Sequence, residues 1–520
     1  MANSIILSRL NFGKVDAKLE FSEANKNSSK FFDSYLIPEN VQIDDFKEGR
    51  KYFISGFRGT GKTSLLRYFL YSAQSKGSHR RFVLFKSDID EDHRVSLSKQ
   101  VGYDYEPTSS SKMELSQDFK SAWRWFILHK IGELINENIS VVNNPGEAQI
   151  FLNLFGLGGK TTVSKALGIF PKLDRGSITI EGDVGLLAGK LELDFESRDK
   201  SCAKISIRNL VDAAEKQLLR LVFTDSIFLG FDELEAFFTD PEKFKRDLSM
   251  VRDLLFVVDQ FNQKFRSTSS QIYLITAIRS EVLHSMKALG QEVERSVHDS
   301  GVKLSWHNAS RSMNHPLLNI IRKKLNASGV ISEDPLIEIM PSVVSGETLD
   351  KYLLDNSFYK PRDIVWRLTL IQSQYPNATS INQQHFQDTL VSYSQQMWSE
   401  IAYELNASYS ADEVDALKMV LSGFWRYFDL EAFRRRVEDT AVYSSKVRML
   451  QSRRDLIELL HNLYRLGAIG NDFSYDNSSK RRVNRWSFRG EPDLLIDRQM
   501  AINAALWRAL STKTIHGKRA

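Results

Sequence analysis

Cysteine is all but missing from this chain: Cys202 is the only one in 520 residues. One thiol cannot close an internal disulfide or build a thiolate metal cluster, which fits a reducing compartment. Isolated as it is, Cys202 reads as a small core residue rather than a nucleophile. Long apolar runs are missing too. None reaches the length that spans a bilayer, and the N-terminal residues lack the charged-then-apolar layout of a secretory signal. The expectation is a cytoplasmic protein with no membrane partner. The ten histidines show no metal-ligand spacing with acids or with the cysteine, so they read as ordinary core or surface residues. No stretch carries a nuclease, protease or glycosidase constellation. A large excess of one charge is absent as well, because a net charge of +5 is mild for this length and does not by itself demand nucleic acid.

What is present is a soluble, globular balance of 42% hydrophobic and 26% charged residues. At about 150 residues per domain, the length implies three or so domains. The chain is organised around Lys51 to Leu66, KYFISGFRGTGKTSLL, where an apolar run turns through glycines into a helical pattern. Gly56, Gly59, Gly61, Lys62 and Thr63 fit G-x-x-x-x-G-K-[ST], the phosphate-binding loop. Its glycines let successive backbone N–H groups point inward at phosphate oxygens, and the following helix adds the positive end of its dipole. The whole stretch Gly56, Phe57, Arg58, Gly59, Thr60, Gly61, Lys62, Thr63 and Ser64 is the expected nucleotide-binding segment. Lys62 neutralises the β- and γ-phosphates in this reading, and Thr63 puts its hydroxyl on Mg²⁺. Tyr52, Phe53 and Ile54 give the buried strand before the loop; Leu65, Leu66, Phe69 and Leu70 give the helical stripe after it.

A second strand is expected over Arg81 to Ser87, followed by the acidic residues Asp88, Asp90, Glu91 and Asp92. Much later, SIFLGFDE ends an apolar strand in Asp232 and Glu233. An Asp there suits Mg²⁺ held through its water shell, and the adjacent Glu suits polarisation of an attacking water. A third strand, Gln271 to Ala277, brings Thr276 toward the γ-phosphate or the water, with Arg279 just beyond to stabilise transition-state charge. Their plainer alternatives are a strand-end hydroxyl and a surface ion pair. Between the helix at Leu115 to Ile135 and the Asp232 strand, residues 138–203 read as a β-rich insertion. It contains Gly158-Gly159-Lys160-Thr161, which imitates a phosphate loop but has Leu154 where the first glycine belongs.

Val302 to Trp306 reads as a last strand, and a helical region begins at His315. Within it Lys360-Pro361-Arg362 opens a helix with an arginine in the first turn, suited to reach a bound γ-phosphate from a lid. From Ser410 onward three helices, Ala411 to Leu421, Leu430 to Val437 and Asp455 to Leu466, precede a hairpin carrying Lys480, Arg481, Arg482 and Arg485 beside Trp486 and Phe488. That is the layout of a winged helix, and basic residues interleaved with aromatics suit a phosphate backbone. Winged helices also dock proteins.

Assembled in order, these motifs resemble bacterial P-loop ATPases of the AAA+/STAND and origin-recognition-like type over residues 30 to 370, with a winged helix after the lid. The phrases FFDSYLIPEN, GFRGTGKTSLLRYF and LLHNLYRLGAIGN are similar to stand-alone ATPases found in bacterial anti-phage defence islands. The resemblance implies an α/β fold: a P-loop NTPase core of the ASCE type with a parallel sheet, a helical lid and a C-terminal winged helix. The implied division is 1–50 packing on the core, 51–310 the ATPase core, 311–405 the lid and 406–520 the winged-helix-like domain. It implies ATP and Mg²⁺ as ligands and hydrolysis coupled to assembly or to release of a partner, with Lys62, Thr63, Asp232 and Glu233 indispensable and Arg362 modulating turnover. A homo-oligomer, a separate effector protein, or both are the implied partners. No motif marks a trans arginine, for which Arg295 and Arg311 are the candidates. Two further readings stand beside the switch ATPase. One is a DNA-binding initiator or regulator contacting DNA through Arg481, Arg482 and Arg485, in which ATP only sets conformation. The other is a scaffold that holds ATP unhydrolysed, against which Glu233 argues.

Overall fold

The computed structural model describes residues 5–24, 28–74, 79–95, 119–157, 177–181, 196–199, 202–234, 241–266, 268, 271–287, 293–306, 313–406, 408–473, 483–491 and 493–514. The chain divides into two compact units, one of Glu39–Phe57 and Leu65–Lys303, the other of Met1–Pro38, Arg58–Ser64 and Leu304–Ala520. This division cuts across the expected boundaries. The N-terminal 38 residues and the glycine loop group with the C-terminal half of the chain.

The first unit is α/β. Its strands are β1 (Phe53–Gly56), β2 (His79–Leu84), β3 (Ser177–Glu181), β4 (Glu196–Asp199), β5 (Cys202–Ser206), β6 (Ile227–Leu234), β7 (Ile272–Arg279) and β8 (Gly301–Lys303). Five of them form one parallel sheet in the order β2-β6-β7-β1-β8. β1 is buried throughout and β6 nearly so, as expected for strands covered on both faces. Helix Lys120–Glu137 lays Trp123, Trp125, Phe126 and Ile127 into the core, and helix Pro241–Arg266 adds Leu254, Leu255 and Val258. Each such burial stabilises by roughly 2 kcal/mol. The Asp253 carboxylate takes the Phe119 N–H at 2.8 Å just before the first of these helices; Leu115, where the sequence pattern opens it, lies outside the described residues. β2 ends at Leu84, where Asp88 accepts the Leu84 N–H at 2.8 Å and turns the chain. Among the acidic residues beyond, Glu91 forms a two-pronged pair with Arg246 at 2.9 and 3.0 Å.

Of the insertion, the described part includes a three-stranded antiparallel sheet, β3-β5-β4, as the alternating pattern implies. It also contains a helix the glycine content concealed, Pro145–Leu154, opened by proline at its first position and anchored by Phe151, Leu152 and Leu154. Gly158 to Thr161 lie outside the described residues.

The second unit carries two apolar cores. One gathers helices Pro316–Ala327, Leu349–Asp355 and Pro361–Gln374 with a short hairpin of β9 (Val343–Val344) and β10 (Glu347–Thr348). Leu7, Leu10 and Phe12 of the N-terminal segment are buried in it. Their backbone is held there, with the Leu7 N–H donating to Ala378 O at 2.7 Å and the Ser8 N–H to Pro376 O at 2.9 Å. The other core is formed by helices Leu390–Leu405, Ala411–Leu421, Leu430–Tyr443, Ser445–Arg453 and Leu456–Arg465 with an antiparallel sheet. That sheet comprises β11 (Tyr427–Phe428), β12 (Ile469–Asp472), β13 (Asn484–Arg485) and β14 (Met500–Ile502) in the order β11-β14-β12-β13. The chain leaves β13 for a 3₁₀ turn, Ser487–Arg489, and residues 474–482 of the expected hairpin lie outside the described residues. Phe488 packs against both cores. No described helix is long and apolar enough to cross a membrane.

Candidate functional site

β1 ends at Gly56, and the next helix begins at Lys62. The five residues between must reverse direction within a turn. Gly59 and Gly61 do so at φ +83° and +94°, a region that costs any residue with a Cβ. A Cβ on Gly61 would meet no atom within 4 Å, so the backbone there is open to close approach. A Cβ on Gly59 would stand 3.1 Å from Arg362 Cβ. Arg362 thus rests on the loop, and its N–H donates to Gly59 O at 3.4 Å. Trp306 fixes the next residue by donating from Nε1 to Thr60 O at 2.9 Å. Lys62 is buried at the N-terminus of its helix, the positive end of the helix dipole.

The Arg362 guanidinium reaches two further partners. Nε donates to Val15 O at 3.3 Å, and Nη1 lies 3.3 Å from Glu400 Oε2. The same carboxylate oxygen stands 3.5 Å from Nε of Arg58, whose guanidinium lies 4.0 Å above the Tyr403 ring. One helix turn beyond Glu400, Glu404 pairs with Lys360 at 3.3 Å, both buried. Asp363 is buried as well and accepts the Phe358 N–H at 2.8 Å. Burial pushes its carboxyl up to about 6, with Lys360 and the Phe358 N–H pulling the other way. Since the folded protein then holds this proton more tightly than the unfolded chain, stability falls as pH rises from about 4 to about 6 and levels above. Asp363→Asn keeps an acceptor for Phe358 without the charge. Urea unfolding at pH 4 and pH 7 is expected to find the variant gaining on the parent by up to about 3 kcal/mol across that window. A gap independent of pH contradicts this account of Asp363.

Just before that helix, Tyr359 adopts φ +54°. It is held by stacking on Phe488 at 5.5 Å, by Arg489 4.3 Å over its ring and by an edge contact to His315 at 5.3 Å. Arg489 also pairs with Asp355 at 2.7 Å. The segment after β13 therefore grips the residue three before Arg362.

In the α/β unit, the parallel strands bring Gly56, Asp232, Glu233 and Arg279 to one edge of the sheet. Gly56 is in register with Arg279, and Leu84 with Asp232. The β6–β7 register shifts between Phe231 and Leu234, so the acidic pair sits on a bulge. Glu233 takes φ +60° there, and its N–H donates to Asp232 Oδ1 at 2.8 Å. A non-glycine residue held in this region is strained, and such strain concentrates at functional sites. Thr276 lies deeper, opposite Phe53 and Phe231, fully buried and with no hydrogen-bond partner for Oγ1 among the described residues.

The remaining candidates are scattered. Arg295 is exposed, with Asp299 3.7 Å away. Arg311, Lys480, Arg481 and Arg482 lie outside the described residues. Arg485 pairs with Glu491 at 3.2 Å and lies 4.2 Å over Phe473. Trp486 is buried, and its ring stacks on Phe488 at 5.7 Å, so these aromatics serve the core. Sequence reasoning missed Glu400, Tyr403 and Trp306. The signal for the first was Glu400 and Glu404 on one helix face, a repulsive spacing that calls for cations from elsewhere.

Residues 315–402 match the sequence model of the FunZ-associated C-terminal helical domain. The match includes both Arg362 and Glu400. No match to the chain is found among curated proteins.

Proposed function

We propose that the chain is a Mg²⁺-dependent ATP-binding and hydrolysing switch of the P-loop, AAA+/STAND type. The observation that carries this is the glycine loop. A G-x-x-x-x-G-K-T stretch follows a buried interior strand of a parallel sheet, turns through two left-handed glycines and runs directly into a helix beginning at Lys62. The strand order supports it, since ligands of open parallel sheets bind beyond the carboxyl ends of strands where the winding reverses, and β1 occupies such a place. The residues of the loop suit the ligands: open backbone at Gly61 for phosphate, Lys62 for its charge and the Thr63 hydroxyl for the metal, and Asp232 is the carboxylate that the sequence motif would add. Bound Mg²⁺ would neutralise phosphate charge. Glu233 would orient and polarise water, Thr276 and Arg279 would sense the γ-phosphate from β7, and Arg362 would approach it from the lid.

Support for the C-terminal winged helix comes from helices alternating with an antiparallel sheet in which β14 lies between β11 and β12. DNA contact finds less support. The exposed residues on helix Leu456–Arg465 include Glu458 and His461, and Trp486 is buried. A role in assembly or partner control therefore leads over an initiator. The likeness to defence-island ATPases points that role toward anti-phage defence.

Equilibrium binding of labelled ATP to the full chain tests the reading. Saturable binding is expected, displaced by ATP and ADP, far less by AMP, and weakened when Mg²⁺ is chelated. Absence of saturable binding overturns it.

A further inference from the structure

We propose that Glu400 is a positioning residue for the nucleotide site: its carboxylate gathers the guanidiniums of Arg58 and Arg362, and the phosphates of ATP compete with it for them. The inference rests on the ATP reading of the loop. It adds a regulator that no motif marks.

One oxygen, Glu400 Oε2, lies 3.3 Å from Arg362 Nη1 and 3.5 Å from Arg58 Nε. Among the described residues, its other oxygen receives a long contact from Gln396 Nε2 at 3.5 Å. One carboxylate therefore faces two guanidiniums, and the trio is net positive. The separations exceed the roughly 2.8 Å of a tight charge-assisted hydrogen bond, so a better anion can displace this one. Burial keeps the competition meaningful. The side chains of Glu400, Arg362 and Arg58 are 14%, 23% and 24% exposed, which limits screening.

Both arginines belong to the loop's immediate surroundings. Arg58 is part of the loop, and Arg362 is bonded through its backbone to Gly59. Glu400, by contrast, is carried by helix Leu390–Leu405, which packs in the C-terminal core. Tyr403 on the same helix supports the face of Arg58. When phosphate takes the guanidiniums, that helix loses its ionic tie to the loop. Glu400 thus converts nucleotide occupancy into a change in how firmly the helical region is held, and by linkage the tie weakens ATP binding in return.

The test is ATP affinity of the full chain, read by anisotropy of a fluorescent ATP, for the parent, Glu400→Gln, Glu400→Asp and Arg58→Gln/Glu400→Gln. Glu400→Gln is expected to bind ATP about five- to tenfold more tightly, because the competing charge is gone while the side-chain shape remains. The gain is expected to shrink at high salt and in the Arg58→Gln background. Glu400→Asp, with its carboxylate drawn back, is expected to show a smaller gain, and it carries the test if Glu400→Gln fails to fold. Unchanged or weaker ATP binding in a folded Glu400 variant overturns the proposal, since a merely structural ion pair would give that result with a lowered Tm. If the parent binds no ATP, the reading of the loop falls first and this inference with it. If the parent binds and only the Glu400 gain is missing, the inference alone falls.

Discussion

Glu233→Gln is expected to slow ATP turnover by about a hundredfold or more while leaving ATP affinity within about threefold of the parent. The substitution keeps the side chain's length and shape but removes the oxygen charge that can draw a proton from water. Its backbone setting supports a role beyond structure: Glu233 occupies φ +60° at a register shift on the carboxyl edge of the sheet. A bulge turns a side chain away from the alternation of its strand, and left-handed geometry at a glutamate costs of order 1 kcal/mol that a glycine or asparagine would avoid. Neighbouring Asp232 is buried and accepts the Glu233 N–H, which stiffens the pair. Single-turnover hydrolysis and equilibrium binding, measured side by side, separate the two effects. Parental turnover by a folded variant would remove Glu233 from the role of water activator.

Lys62→Ala is expected to weaken ATP binding by about a hundredfold. Lys62 is buried at the first position of the loop's helix, where its ammonium and the positive end of the helix dipole would favour the same anion. Removing the ammonium would discard the charge-assisted contact to phosphate that the proposed function assigns to it, while leaving the helix with alanine, its best former. ADP binding should weaken less than ATP binding, because the terminal phosphate loses most. Isothermal titration with both nucleotides checks this. Equal affinities in parent and variant would mean that the loop does not hold the phosphates.

The parts of the fold legible from sequence are those set by local chemistry. Ser410 and Glu413 form a capping box, and helix Ala411–Leu421 occupies the bounds its pattern implies. Pro361 opens helix Pro361–Gln374 with Arg362 in its first turn. The glycine loop was legible for the same reason, since positive φ at Gly59 and Gly61 is a demand of the turn itself. Features set by distant partners were not. Helix Ser445–Arg453 follows the previous helix after only Ser444, which caps it through Oγ, so the sequence offers no glycine or proline to mark the break. Trp486 and Phe488 read as an exposed wing beside arginines, but Tyr359 and the two cores of their unit draw them inward. Glu400 was hidden because its meaning lies in Arg58 and Arg362, which only the fold brings to it.

The grip on Tyr359 joins these observations. Phe488 and Arg489 hold a strained tyrosine that leads directly into the helix of Arg362, and Arg362 leans on Gly59. The C-terminal core and the glycine loop are thereby connected through a short run of chain.

The most direct measurement is steady-state phosphate release by the purified full chain with Mg²⁺ and ATP, alone and with duplex DNA, beside Lys62→Ala and Glu233→Gln. The switch-ATPase account predicts release by the parent that falls to background in both variants. Release that is equal in parent and Lys62→Ala, or a parent that binds ATP tightly yet releases no phosphate under either condition, would contradict it.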